Sequence, residues 1–292
     1  MTDTFTLPKL EKGIIPRIAA IHDICGYGNC SLAVAMPVLS LAGADVLAVP
    51  TSIVSAQTNL SPFALLDTTE FLSEYFDSWA KLGIRVSGIY TGFLGSAEQI
   101  ALIEEYVNRE KDAYRIIDPV MGDHGKAYPT YTQEMCLEMK KLVPYAHVLT
   151  PNLTEASLLL DRPYSGQALS KGQAEEILDQ LLEMGAGAVV LKGIERGDQI
   201  INVIKRKGLD YREIANPRHP LSLHGTGDLF ASCVTAGLFS GHHLAESVAF
   251  AGQFVYESIQ LSSTQPGHRD RGVNFEPLLG KLVEFTGINR RE

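Results

Sequence analysis

An α/β fold with a central, mostly parallel sheet and helices on both of its faces is what this 292-residue sequence predicts, and three observations carry it. Short apolar runs alternate with segments of helical spacing along most of the chain. Residues with chemistry to offer stand directly after those runs, where a parallel sheet gathers them at one edge. No internal repeat, low-complexity run or Pro/Ser-rich linker divides the chain, so one domain over residues 1–292 is expected, with 1–16 as an N-terminal extension.

Residues 17–22 are an apolar run after Pro16 and read as a first buried strand, ending in a Gly-rich turn from Asp23 to Asn29. Such a turn lines the ligand crevice of an open parallel sheet, which makes Asp23 a candidate substrate contact; a plain strand-to-helix connection is the competing reading. Residues 31–42 have helical character, Gly43 stops them, and 45–50 is a second strand. The polar, β-branched stretch 51–58 suits a strand or flap over the crevice. From 68 to 82, Phe71, Leu72, Tyr75, Phe76 and Trp79 share one helical face, a stripe suited to packing.

A strand over 85–91, a turn over 92–96, a helix over 97–108 and a strand over 114–117 follow, and the last delivers Asp118 and Asp123 to the same edge. Two carboxylates five apart across a Pro/Gly turn suit a hard cation or a metal-bound polyphosphate, although Asp beside Pro and Gly is also ordinary turn chemistry. After a helix over 133–143 and a strand over 148–150, Asn152 and Glu155 have the spacing of a capping box. Held at a helix start, the same pair is placed to hold magnesium waters near phosphates. The remainder reads as a helix over 170–184, a buried strand over 188–193 that contains Lys192, an antiparallel pair (200–205 and 211–214), helices over 229–239 and 244–261, and a last helix near 276–285.

The densest chemistry lies in His224-Gly225-Thr226-Gly227-Asp228, directly before a small, apolar run. Gly225 and Gly227 allow a sharp turn with N–H groups facing outward, and the free N–H groups of the following helix add partial positive charge, making an anion hole. A carboxylate beside bound phosphates repels them unless it takes a proton from an attacking hydroxyl, which makes Asp228 a candidate general base. The competing reading is that Asp228 favours the helix dipole, with Thr226 as a cap.

Composition narrows the field. An apolar content of 45% and a charged content of 20% are ordinary for a globular protein, and a net charge of −9 without Lys/Arg clusters argues against a nucleic-acid partner. No apolar run approaches membrane-spanning length and no signal peptide is read at the N-terminus, so a cytoplasmic protein without a membrane partner is expected. Cys25, Cys30, Cys136 and Cys233 are too scattered for a disulfide framework, and no His pair completes a metal set around Cys25 and Cys30.

Taken in order, Gly92-Phe93-Leu94-Gly95-Ser96, Asp118-Pro119-Val120-Met121-Gly122-Asp123, Thr150-Pro151-Asn152-Leu153-Thr154-Glu155 and Gly225-Thr226-Gly227-Asp228 resemble the motifs of the ribokinase-like superfamily of small-molecule kinases and, within it, the pyridoxal kinases. The resemblance runs over about 17–261. It implies a ribokinase-like fold and ATP-dependent phosphorylation of the primary hydroxyl of pyridoxal, an activity of vitamin B6 salvage that extends in some members to pyridoxine and pyridoxamine. It also implies Asp228 as base, Gly225, Thr226 and Gly227 as the anion hole, and Asp118, Asn152, Glu155, Lys192 and Thr226 around ATP. Mg2+ falls to Asp118, Asp123 and Glu155, and the substrate ring to Asp23, Thr58 and Phe93. A K+ requirement stays open; a homodimer is the expected assembly, although the sequence does not fix it. Three departures bear on the ring contacts: Asp23 stands where a Ser is common, Gln57 replaces a His and Phe93 a Tyr.

The hydroxymethylpyrimidine kinases of thiamine biosynthesis are the nearest alternative; they share the His-Gly-Thr-Gly context but usually carry Cys where Asp228 stands. A carrier of phosphorylated ligands with an inert Asp228 is the alternative from another class, distinguished by ATP consumption with and without pyridoxal. A dehydrogenase is set aside because no properly spaced third glycine follows Gly26-Tyr27-Gly28.

Overall fold

The fold is organised by one nine-stranded sheet, seen in a computed structural model that describes residue 7 and residues 14–209 and 211–288. Of the expected N-terminal extension, only Leu7 and residues 14–16 lie within the described residues. The elements in chain order are β1 (Arg17–Cys25), α1 (Leu32–Leu41), β2 (Asp45–Val54), β3 (Leu65–Asp67), α2 (Thr69–Lys81), β4 (Gly88–Thr91), α3 (Ala97–Arg109), β5 (Tyr114–Ile117), β6 (Gly122–Asp123), β7 (Lys126–Ala127), α4 (Gln133–Leu142), β8 (Val148–Leu149), α5 (Leu153–Leu159), α6 (Lys171–Glu183), β9 (Ala188–Arg196), β10 (Gln199–Arg206), β11 (Arg212–Pro217), α7 (Thr226–Phe239), α8 (Leu244–Ser263), α9 (His268–Arg271) and α10 (Leu279–Thr286).

The sheet order is β11-β10-β9-β8-β5-β4-β1-β2-β3. The strands from β9 through β2 pair in parallel, while β3 at one edge and β10 and β11 at the other are antiparallel. Alternation along the strands divides the core in two. Ala19, Ile21, Ile117, Val189 and Leu191 face a cluster with residues of α2 to α6, whereas Ile18, Ile116, Ala188 and Val190 face one with residues of α1, α7, α8 and α10. Helices therefore cover both faces, as expected. Because β2 and β4 flank β1, with α1 on one face and α2 on the other, a switch point opens at the carboxyl ends of β1 and β4.

Several local expectations change, the first being that β1 runs on through Cys25, so Asp23 stands within the strand rather than in the turn after it. The second strand runs on through Val54, because Ile53 and Val54 pair with β1 and Ser52 to Val54 pair with β3; what covers the crevice begins only at Ser55. On α2, Leu72 and Phe76 are buried as expected, but Phe71 is 53% exposed and leaves the packed stripe. The two-residue strands β6 and β7 make a separate hairpin where the sequence reads only as a turn. Finally, α7 starts at Thr226, so Asp228 lies inside its first turn.

Candidate active site

The carboxyl-end portions of the parallel strands, with Asp23 inside β1, Lys192 inside β9 and Asp118 and Thr150 just past β5 and β8, converge with the start of α7 on one crevice. Its charged centre is Asp118, just past β5 and 1% exposed. Lys192 Nζ donates to Asp118 Oδ1 at 2.6 Å, and Thr150 Oγ1 donates to the same oxygen at 2.8 Å. Burial alone would lower the Lys192 pKa, but Asp118 and Glu155 hold the ammonium above its usual range, so it stays charged. A parallel bridge between Asn152 and Lys192 aligns these two strand ends.

At the start of α5, Asn152 and Glu155 form the expected capping box: Asn152 N donates to Glu155 Oε2 at 2.7 Å, and Glu155 N to Asn152 Oδ1 at 2.9 Å. Asn152 Nδ2 also donates to Gly122 O at 2.9 Å, and Gly125 N to Thr154 Oγ1 at 2.8 Å, which seats the β6–β7 hairpin over the site. Burial pushes the Glu155 carboxyl well above the ordinary range, against the pull of Lys192 and with Asp118 and Asp123 adding repulsion. Asp123 itself is exposed and accepts from His124 N at 2.8 Å. Asp118 and Asp123 both act on Glu155 electrostatically, while among the described residues no group of three His, Cys, Asp or Glu side chains is by itself disposed to hold a metal ion. Lys192 bonds Asp118, and the capping box engages Glu155.

Across the crevice, Gly225 caps α7 in the left-handed region at φ 80°. A Cβ there would lie 1.8 Å from Asn29 O, so only glycine allows the two loops to meet. A Cβ on Gly227 would meet nothing within 4 Å; this residue faces open space. Thr226 does not cap the helix, because its hydroxyl donates to Leu223 O at 3.0 Å. Asp228 is partly buried and its Oδ2 accepts from Ser31 N at 2.9 Å. Burial pushes its pKa up to about 7; the Ser31 amide and Lys192 pull it down, while Asp118 and Asp23 add repulsion.

Asp23 is 8% exposed, and burial raises its pKa against a hydrogen bond from the Ser31 side chain. The residue before it, His22, is wholly buried edge-on to Tyr90, with ring centroids 4.4 Å apart. Burial pushes the His22 pKa down to about 3, so the ring is neutral at working pH. A Cβ on Gly92 would lie 2.0 Å from His22 Nδ1, which accounts for the glycine before Phe93. Phe93 O accepts from Thr51 Oγ1 at 2.9 Å and its ring meets Tyr131 edge-on. Thr58 is exposed in the loop after β2; its neighbour Gln57 is buried, and its amide donates to Asp270 O.

The structure thus gathers Asp23, Asp118, Glu155, Lys192 and Asp228 into one electrostatic neighbourhood that Asp123 adjoins from an exposed position, while Phe93 packs on Tyr131 and Thr58 is exposed in the loop after β2. Sequence reasoning missed Asn29 and Ser31. Asn29 N donates to Arg271 O, and Asn29 Nδ2 to Val273 O and Glu276 Oε1, so the segment after α9 ties down the loop that faces Gly225. A cavity of about 450 Å³ beside His224 and Leu223 borders the same turn. Another, of about 760 Å³, lies at the amino ends of the strands beside the Arg17–Asp45 ion pair, far from these groups.

Comparison with known proteins identifies the family and the fold. The family model for phosphomethylpyrimidine kinase matches residues 37–274. A hydroxymethylpyrimidine/phosphomethylpyrimidine kinase of Bacillus subtilis is 31% identical over 66% of this chain and 70% of its own length. A pyridoxine/pyridoxal/pyridoxamine kinase of Bordetella avium is 29% identical over 83% of this chain and 84% of its own. The chain spans only 47% and 38% of two longer bifunctional thiamine-biosynthesis proteins that it also matches. Among solved structures, a Bacteroides thetaiotaomicron protein, provisionally assigned as a phosphomethylpyrimidine kinase and crystallised with pyridoxal, superposes with a TM-score of 0.88 at 32% identity, covering 92% of this chain and 96% of that one.

Proposed function

This chain belongs to the phosphomethylpyrimidine kinase family and is a kinase, and from that premise we propose that it transfers the γ-phosphoryl group of ATP to the primary hydroxyl of pyridoxal, and of pyridoxine and pyridoxamine. One observation carries the chemistry: a carboxylate raised to about 7 at the start of a helix, beside a glycine that faces open space. A general base serves best when its pKa lies near the working pH. In this reading Asp228 takes the hydroxyl proton as that oxygen attacks the γ-phosphorus, the new P–O bond forms, and the bond to the ADP oxygen breaks. The N–H groups of Gly225 to Gly227 hold charge on the transferring group, and Lys192 keeps a fixed positive charge beside Asp118.

Asp118, Asp123 and Glu155 outnumber Lys192, and this excess of negative charge fits a magnesium ion held largely through its waters and through phosphate oxygens rather than by direct ligation. When bound, the metal supplies neutralisation of the polyphosphate charge. Asp23 and Phe93 flank the substrate ring, with Thr58 and the buried Gln57 closing from the loop after β2.

Pyridoxal is favoured as substrate by the likeness to the Bacteroides protein that was crystallised with it, and by the match to the Bordetella kinase over most of both chains. The second reading, phosphorylation of hydroxymethylpyrimidine or its monophosphate, draws on the family model and on the Bacillus relative. Steady-state comparison of pyridoxal, pyridoxine, pyridoxamine and hydroxymethylpyrimidine with ATP and magnesium separates them. Pyridoxal is expected to have the highest kcat/KM; a higher value for hydroxymethylpyrimidine overturns the assignment.

A further inference from the structure

Ser31 stands between the two carboxylates that face each other across the crevice. Its N–H donates to Asp228 Oδ2 at 2.9 Å, and its hydroxyl lies near enough to Asp23 to pull that carboxyl's pKa down. Its backbone is at φ 53° and ψ −130°, a region that a residue with a side chain rarely occupies. It is also the N-cap of α1, where a serine ordinarily turns its hydroxyl onto the helix N–H groups, yet no such bond forms. Both departures from the ordinary geometry have the same consequence: they aim one group of Ser31 at each carboxylate.

The surroundings hold this arrangement in place. Asn29, two residues earlier, is fixed by Arg271 O, Val273 O and Glu276 Oε1, and Val273 N donates in turn to His224 O at 3.0 Å. Asn29 O then packs where a Cβ of residue 225 would be. The loop before α1 is thereby pinned against the start of α7 from the far side.

We propose that Ser31 is a positioning residue for the phosphoryl transfer: its strained backbone presents an N–H that holds Oδ2 of Asp228 and leaves Oδ1 to meet the substrate hydroxyl, while its own hydroxyl holds Asp23 against the substrate ring. This rests on the reading of Asp228 as the base. With the loop pinned through Asn29, the hydroxyl's contact with Asp23 supplies the remaining hold on residue 31 in its unfavourable conformation, so the two functions separate on substitution. Alanine removes the hydroxyl and keeps the steric penalty at positive φ, so the backbone relaxes and the N–H leaves Asp228. Glycine also removes the hydroxyl but occupies this region freely, so the N–H stays.

Ser31→Ala and Ser31→Gly in the full chain, assayed with ATP, magnesium and pyridoxal, or with hydroxymethylpyrimidine if that is the substrate turned over, test this directly. Ser31→Ala should lower kcat roughly 10–100-fold through a misplaced base. Ser31→Gly should restore kcat to within about threefold of the parent. KM for the phosphoryl acceptor should rise roughly tenfold in both, because Asp23 loses its partner in both. Equal kcat in the two variants, whether both normal or both low, overturns the inference. A purely structural role lowers the melting temperature in both without the split between kcat and KM. Asp228→Asn, run in parallel, keeps the failures apart: near-normal turnover there removes the base itself, whereas a large loss there with no rescue by Ser31→Gly removes only the role of Ser31.

Discussion

Asp118 and Asp228 are two carboxylates in the same crevice, and the molecule treats them in opposite ways. Asp118 meets an ammonium at 2.6 Å and a hydroxyl at 2.8 Å, with Asp118 and Thr150 just past β5 and β8 and Lys192 within the neighbouring β9. Asp228 receives one backbone N–H and otherwise faces repulsion from Asp118 and Asp23, relieved only in part by Lys192. A compensated carboxylate is a fixed charge that can orient polyphosphate and metal; an uncompensated one is poised to exchange a proton. Position decides which is which. The end of β5 is flanked by β4 and β8, with Lys192 close by, whereas the start of α7 lies across the crevice from them.

Removing the compensation should have the largest effect. Lys192→Met leaves Asp118 buried without its cation and is expected to cost roughly 3–5 kcal/mol of stability, read from denaturant midpoints at constant slope. A loss below about 1 kcal/mol would mean that Lys192 does not hold Asp118 in solution.

Removing the uncompensated carboxylate should act in the other direction. The folded-state pKa of Asp228, about 7, lies above its ordinary 3.8, so the folded form binds the proton more tightly and the carboxylate weakens the fold above pH 7. At about 1.4 kcal/mol per pH unit this is at most roughly 4 kcal/mol, reduced by the part of the side chain that meets water. Asp228→Asn should therefore stabilise the protein at pH 8, and the gain should shrink as pH falls from 7 towards 4. Urea unfolding at pH 8 and pH 5 measures it; a gain independent of pH contradicts the assigned titration.

The smallest stability effect belongs to the turn between the two regions. Gly227→Ala puts a methyl group into open space in a helix and should change stability by only about 0.5–1 kcal/mol, in the stabilising direction. Phosphoryl transfer should nonetheless fall if, as proposed, that space holds the anion. Unchanged kcat together with unchanged KM for ATP would show that the open face of Gly227 is not the anion hole.

Much of this arrangement is legible from residues alone. Asp23, Asp118, Asn152, Lys192 and Asp228 stand at the ends of apolar runs or at helix starts, and a parallel sheet brings such positions together whatever lies between them. The partnership of Asp118 with Lys192 is not legible, because the two are 74 residues apart and nothing local marks the pairing. Nor are β6 and β7, which at two residues each are too short to show a period. Asn29 and Ser31 escape for a different reason: Arg271 O and Val273 O are backbone carbonyls, which any residue supplies, and a positive φ on a serine has no compositional signature. Carboxylate spacing likewise does not reveal that Lys192 bonds Asp118 and that a capping box engages Glu155.

The most direct test of the distinction between the two carboxylates is the pH dependence of kcat for the parent and for Asp228→Asn, with ATP, magnesium and pyridoxal, or hydroxymethylpyrimidine if that is the substrate turned over. The parent should show an acid limb near pH 7, set by the raised pKa of Asp228. The Asn variant keeps the size and the Ser31 hydrogen bond but has no basicity; it should lose that limb and roughly 10²–10⁴-fold in kcat, with binding of both substrates largely retained. Near-normal turnover in the Asn variant, with the acid limb still in place, would contradict the assignment of Asp228 as the base.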